Sequence, residues 1–250
     1  MKKGGKALVG VTVAILILSI SLGYVASKEE KKGSEDIGKI IIIHTKGSDK
    51  SNWIKNPKKP ENRGKGKKNV CYRLLGVRWK NLPVSYVVNP SNDDGLSGDF
   101  VISSIYASAE EWDSHTSSEI FNDSYVVDSN ATWDGFSIPD GRNELVFGYF
   151  PQSSAIAITV VWYSKKTKEI IEFDTLFNDY YKWGDATQDG SVMDLQNIAT
   201  HEIGHGLGLS DLYNINCYNE TMYGYSDYGE VKKRSLENGD IAGLQKMYGE

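Results

Sequence analysis

The chain has 250 residues, 40% of them hydrophobic, with 33 acidic and 28 basic side chains and a formal net charge of −5. That is enough apolar material for one domain with a sizeable core. No folded basic face with interleaved aromatic residues is in view, which excludes a nucleic-acid binder.

Lys2, Lys3 and Lys6 precede an apolar run from Ala7 to about Ser27, with Val25-Ala26-Ser27 offering small residues for cleavage, as in an export signal. The run is also long enough to cross a bilayer uncleaved. Residues 1–27 therefore read as a signal peptide or a membrane anchor, with residues 7–27 as the only membrane contact. In either case the remainder is exported, secreted or otherwise extracytoplasmic. Residues 28–70 read as a basic flexible linker containing His44, the stretch from Lys46 to Lys68 being broken by Pro57, Pro60, Gly64 and Gly66. The sharper alternative is a propeptide. Residues 1–70 carry sixteen Lys and Arg against six Asp and Glu, whereas residues 71–250 carry twelve against twenty-seven, so the two parts attract each other.

Residues 71–250 read as one folded domain with its own core. It holds the only two cysteines, Cys71 at its start and Cys217 between Asp211 and Met222, an even pair that in an exported protein reads as a disulfide. Val84 to Val88 is strand-like and stops at Asn89-Pro90. Ile102, Ile105, Ala109 and Trp112 fall at helical spacing and predict a helix over about 98–114. Strand-like runs follow at 125–127, 144–149, 156–163 and 169–177, the last two joined as a hairpin through Ser164-Lys165-Lys166-Thr167-Lys168. Ser191 and Asp194 fit a capping box before the apolar stripe Leu195, Ile198 and Ala199, predicting a helix over about 192–207.

On that helix stands His201-Glu202-Ile203-Gly204-His205, followed by Gly208 and Asp211. Histidines four apart lie about 40° from each other around a helix axis, so one metal ion takes both imidazoles. Glu202 projects about 60° from His205, placed to hold a water without being a ligand. Catalytic zinc needs a third protein ligand and an open position. Gly208 can take the positive φ that ends a helix and lets the chain turn back, which makes Asp211 the third ligand. The plainer readings are Asp211 as a turn residue and Met222 as an ordinary core side chain.

The run from His201 to Asp211, Met222 within Thr221-Met222-Tyr223-Gly224-Tyr225, and the closing segment Leu236 to Gly249 resemble the metzincin metalloproteases, and among them matrixins of the prokaryotic type. The resemblance reaches back to about Cys71. It implies an α/β, metzincin-like zincin: a twisted mixed five-stranded sheet with two long helices, an active-site cleft, and a small C-terminal subdomain with a Met-turn at Met222 and a final helix. Asp211 replaces the usual third histidine, as in snapalysin-type enzymes. Gly239-Asp240 replaces two adjacent aspartates, leaving Asp240 to buttress the Met-turn. The resemblance also implies that a substrate peptide lies along the edge strand 156–163, with Ile156, Ala157, Ile158, Thr159 and, beyond Met222, Tyr225 as substrate-binding positions. It implies one catalytic Zn2+, with structural Ca2+ at Asp179, Asp185 and Asp189 weighed against a solvated acidic surface. Cys71 as a zinc-blocking switch is the alternative to the disulfide, but it lacks that motif's flanking residues and leaves Cys217 unpaired. The expected activity is that of a monomeric exported zinc endopeptidase acting on peptides or proteins, with Glu202 as general base. The competing class is a non-catalytic, metal-stabilised envelope or binding protein, which would have no use for Glu202.

Overall fold

Ala155–Ser164 (β5) is the strand on which the architecture turns, because its first eight residues are buried on both faces. The structure is a computed structural model describing residues 36–47 and 70–250; the expected signal or anchor and much of the 28–70 segment lie outside the described residues. In chain order β5 is preceded by β1 (Ile37–Lys46), β2 (Val87–Val88), helix α1 (Gly98–Asp113), β3 (Val126–Val127) and β4 (Glu144–Gly148). It is followed by β6 (Ile170–Asn178), β7 (Trp183–Gly184), β8 (Met193–Asp194), helix α2 (Leu195–Gly206), β9 (Tyr225–Ser226) and helix α3 (Asn238–Tyr248). No helix among the described residues is long and apolar enough to cross a membrane.

The sheet runs in the order β3-β2-β4-β6-β5-β1-β9. Strands β3, β2, β4 and β6 are parallel neighbours, and β5 returns antiparallel to β6 through the expected hairpin. These five make the mixed α/β sheet of the expectation. Two further strands extend it: β1, antiparallel to β5, and β9, parallel to the end of β1.

Both long helices pack on one face. Val101, Ile105, Ala109 and Trp112 of α1 and Ile198, Ala199 and Ile203 of α2 share a core with Phe121, Phe173 and Phe177. Trp112 donates its indole N–H to the Thr200 carbonyl at 2.8 Å, so its one polar atom is satisfied in that core. On the opposite face Val146, Ile158, Val160, Trp162 and Leu176 form a second cluster under Trp133 and Phe150, which lie in the segments before and after β4. This explains why β5 reads as a continuous apolar run rather than an alternating one.

Helix α2 begins later than the capping-box expectation. Val192 and Met193 are drawn out of it because β8 pairs with β7, and Asp194 is the N-cap, accepting from Asn197 N at 2.8 Å. Arg234 reaches the same carboxylate, tying the start of α2 to the chain after the Met-turn region.

Cys71 and Cys217 form a disulfide across a sequence separation of 146. Thiols spent on this bond leave no cysteine switch, and among the described residues there is no free cysteine. Closing a loop of this size stabilises by about 5 kcal/mol in the chain-entropy picture, so Cys71→Ser is expected to lower the urea midpoint correspondingly. A midpoint unchanged by the substitution would show the cross-link to be energetically idle.

Candidate active site

The last turn of α2 and the reversal after it bring His201, His205 and Asp211 together. Gly208 makes the reversal, at φ +103°, and a Cβ there would lie 2.3 Å from the Val77 carbonyl oxygen. Backbone bonds Leu75 N to Gly208 O and Ser210 N to Arg73 O, both 2.8 Å, hold the reversed segment. Asp211 then turns its carboxylate back onto the helix.

Each histidine is fixed by the nitrogen facing away from the centre. Nδ1–H of His201 donates to the Thr221 carbonyl at 2.7 Å, and that of His205 to the Leu209 carbonyl at 3.0 Å. The two Nε2 atoms are therefore left as inward-facing lone pairs 3.1 Å apart. Asp211 Oδ1 stands 3.2 Å from one and 3.5 Å from the other and has no hydrogen-bond partner. Three electron-rich atoms converge in a buried space, an arrangement that calls for a cation. Burial holds His201 neutral with its pKa lowered to about 3. For His205 burial lowers the pKa, but the Asp211 charge raises it and prevails. Two imidazoles and a carboxylate are a donor set that suits zinc.

Met222 lies beneath this centre. Asp240 accepts from the backbone N–H groups of Thr221 at 2.7 Å and Met222 at 3.1 Å, which fixes the turn and, through the Thr221 carbonyl, the His201 ring. A Cβ on Gly204 would lie 2.4 Å from Met222 Sδ, so only glycine lets the turn approach α2 this closely. Tyr213, not foreseen from sequence, donates its hydroxyl to Asp211 Oδ2 at 3.0 Å and thereby leaves Oδ1 pointing inward.

Glu202 is fully buried beside the centre, and burial raises its pKa to about 7. Thr159 Oγ1 donates to its Oε2 at 2.7 Å and touches Thr175 Oγ1 at 2.8 Å. Thr159, expected to bind substrate, thus faces the glutamate through its side chain. Ile156 and Ala157 pack into the helix-side core and Ile158 into the opposite cluster. Of these positions only main-chain groups would meet a peptide. Tyr225 lies across the gap, in β9.

Two further side chains at the centre escaped the sequence reading. His44, expected in a linker, is instead in β1 and fully buried, its Nδ1 2.9 Å from Glu202 Oε1 and its ring 3.9 Å from the His201 ring. Lys233, also fully buried, donates to the Tyr223 carbonyl and lies 3.3 Å from His44 Nε2. Burial lowers its pKa to about 8. With the ammonium facing Nε2, His44 carries its proton on Nδ1 and donates it to Glu202.

The acidic residues weighed for calcium do not converge. Asp185 pairs with Arg234 and Thr187, Asp189 with Lys182 and Ser191, and Asp179 belongs to no metal-sized cluster among the described residues. A different acidic group, Asp134, Asp140 and Glu172, does gather, next to the fully buried Asp174. Burial and the neighbouring Asp134 raise the Asp174 pKa to about 9. A carboxyl whose folded-state pKa lies above its unfolded value favours the fold at low pH, and that contribution is lost as pH rises toward the folded-state pKa. Stability is therefore expected to decline between about pH 5 and about pH 8 in buffer free of divalent cations, and Asp174→Asn to flatten that decline. Urea denaturation at the two pH values checks this; an equally steep decline in the variant would assign it to other groups.

A five-stranded mixed sheet with α2 carrying two histidines and a glutamate, closed by a Met-turn, defines a metallopeptidase of the metzincin type. The matrixin family model matches residues 78–249, and the chain belongs to that family of zinc metalloproteases. Among relatives, it is 38% identical over 76 residues to the hatching enzyme of Paracentrotus lividus, covering 30% of this chain and 12% of that protein. It is 37% identical over 79 residues to matrix metalloproteinase-25 of Homo sapiens, covering 32% and 14% respectively. Against matrix metalloproteinase-16 of Mus musculus it is 28% identical over 220 residues, covering 79% of this chain and 32% of that protein. The chain thus spans about a third or less of the length of these relatives.

Proposed function

We propose that the chain is an exported zinc endopeptidase in which His201, His205 and Asp211 hold the metal and Glu202 is the general base. The observation that carries this reading is the convergence of two imidazole Nε2 atoms and an unpartnered carboxylate oxygen beside a buried glutamate. A matrixin acts on peptide or protein substrates, which supports peptide-bond hydrolysis here. Zinc bound at such a centre supplies Lewis acidity, acidifying a water and drawing charge from a carbonyl oxygen.

The protein's own contribution is proton handling and positioning. Glu202, poised near neutral pH by burial, accepts the proton of the attacking water and returns it to the leaving nitrogen. Thr159, held by Thr175, orients the glutamate through Oε2, so Oε1 is the oxygen that carries the proton. Asp211 in place of a third imidazole reduces the net charge of the loaded site, which makes the water somewhat less acidic than in a three-histidine site. Residues 1–27 supply the export signal or anchor in this reading, and the Cys71–Cys217 disulfide supports an oxidising compartment.

The test is mass spectrometry of a peptide library incubated with the purified chain. New amino termini that vanish with a chelator and return with zinc are expected. Cleavage indifferent to chelation would remove zinc from the reaction.

A further inference from the structure

Resting on that peptidase reading, we propose that β1 is an intramolecular inhibitory strand lying where a substrate peptide would lie, with His44 as the group that blocks the centre. Strand β1 fills the gap between the two walls of the site. On one side it pairs antiparallel with β5, from Ile37 opposite Ser164 to His44 opposite Ala157. After an irregularity between His44 and Thr45 it pairs with the segment beyond the Met-turn, Thr45 opposite Tyr225 and Lys46 opposite Ser226. This is the way an extended peptide adds to an exposed sheet edge, held mainly by its backbone.

The side chains of β1 are not those of a core strand. None of its five isoleucines is buried, and Ile41 is 47% exposed; the buried positions are Gly38 and His44. Ile37, Ile40 and Ile43 rest only partly buried against the apolar clusters, so the one large side chain of the strand that is fully buried is polar, and it enters at the glutamate. There His44 donates to Glu202 Oε1, the oxygen left free by Thr159, while its ring covers His201. With β1 in place both carboxylate oxygens are engaged and the space in front of them holds an imidazole. The ends of the strand are pinned by lysines: Lys39 donates to the Gly135 and Ser137 carbonyls at 3.1 and 3.2 Å, and Lys46 lies 3.6 Å from Asp227 and over the Tyr228 ring. The strand also precedes the region matched to the matrixin family, which begins at residue 78.

The experiment compares the full-length, zinc-loaded chain with His44→Ala and Ile42→Pro. The first removes the blocking ring. The second leaves His44 but breaks the main-chain pairing, since proline has no N–H to give the ladder. Two readouts are taken: cleavage of a quenched fluorescent peptide, and calorimetric binding of a short peptide hydroxamate, which needs both the sheet edge and the metal. Both variants are expected to cleave about tenfold faster or more, the factor that follows from losing a buried hydrogen bond to a charged group. Ile42→Pro, which frees the sheet edge, is also expected to bind the hydroxamate where the unaltered chain does not. An unaltered chain that binds the hydroxamate and cleaves as fast as both variants overturns the inhibitory strand and leaves the peptidase reading intact. Hydroxamate binding gained in Ile42→Pro with no cleavage by any chain overturns the peptidase reading while showing that β1 covers the groove. If no chain binds or cleaves, both fall.

Discussion

Replacing Glu202 by glutamine is expected to abolish peptide cleavage while leaving the metal in place. The amide keeps the size of the carboxylate and can still accept from Thr159, but it cannot take a proton from water. General acid–base catalysis contributes up to about 10⁴-fold, so kcat/KM should fall by about that factor. The comparison is made in the Ile42→Pro chain, where β1 no longer competes for the same oxygen, with zinc content measured on the same samples. Turnover within about tenfold of the parent would mean that another group takes the proton.

The second large effect concerns the metal. Asp211→Ala should release zinc, because two imidazoles alone leave the donor set one ligand short. Asp211→His should retain it, since an imidazole can occupy the same coordination position. Tyr213, which holds Asp211 Oδ2, and the reversal at Gly208 shape that position, so the histidine variant need not recover full activity. Zinc content of folded protein decides the matter. One zinc held by Asp211→Ala as tightly as by the parent would place the third ligand elsewhere.

The parts of this site legible in the sequence are those written within one helix and the turn after it. His201, Glu202 and His205 fall at helical spacing, and Gly208 signals the reversal that delivers Asp211; local geometry is enough to join them. Asp240 followed from the likeness to a family motif. His44 did not, because it is 158 residues from Glu202 and nothing local links them. A signal for its strand was nevertheless present: Ile40-Ile41-Ile42-Ile43 is a β-branched run of strand length within an otherwise polar stretch. The surrounding lysines made it read as linker. Lys233 sits in Lys232-Lys233-Arg234, which looks like a solvated charge run, and only the packing of that turn against Asn197 sends the middle lysine inward. Thr159 was legible as part of a strand expected at the sheet edge, although β1 lies outside that strand. Its partnership with Glu202 depends on which face of β5 meets α2, and the sequence cannot give that when both faces are apolar.

The most direct measurement is a zinc titration of the metal-free Ile42→Pro chain, following bound zinc and peptide cleavage together. Cleavage should rise in proportion to zinc and stop rising at one equivalent per chain, and the same titration with Glu202→Gln added should show the same binding with no cleavage. Cleavage before zinc is added, or one equivalent bound with no cleavage in the Glu202 chain, would contradict the assignment of this centre as a zinc peptidase site.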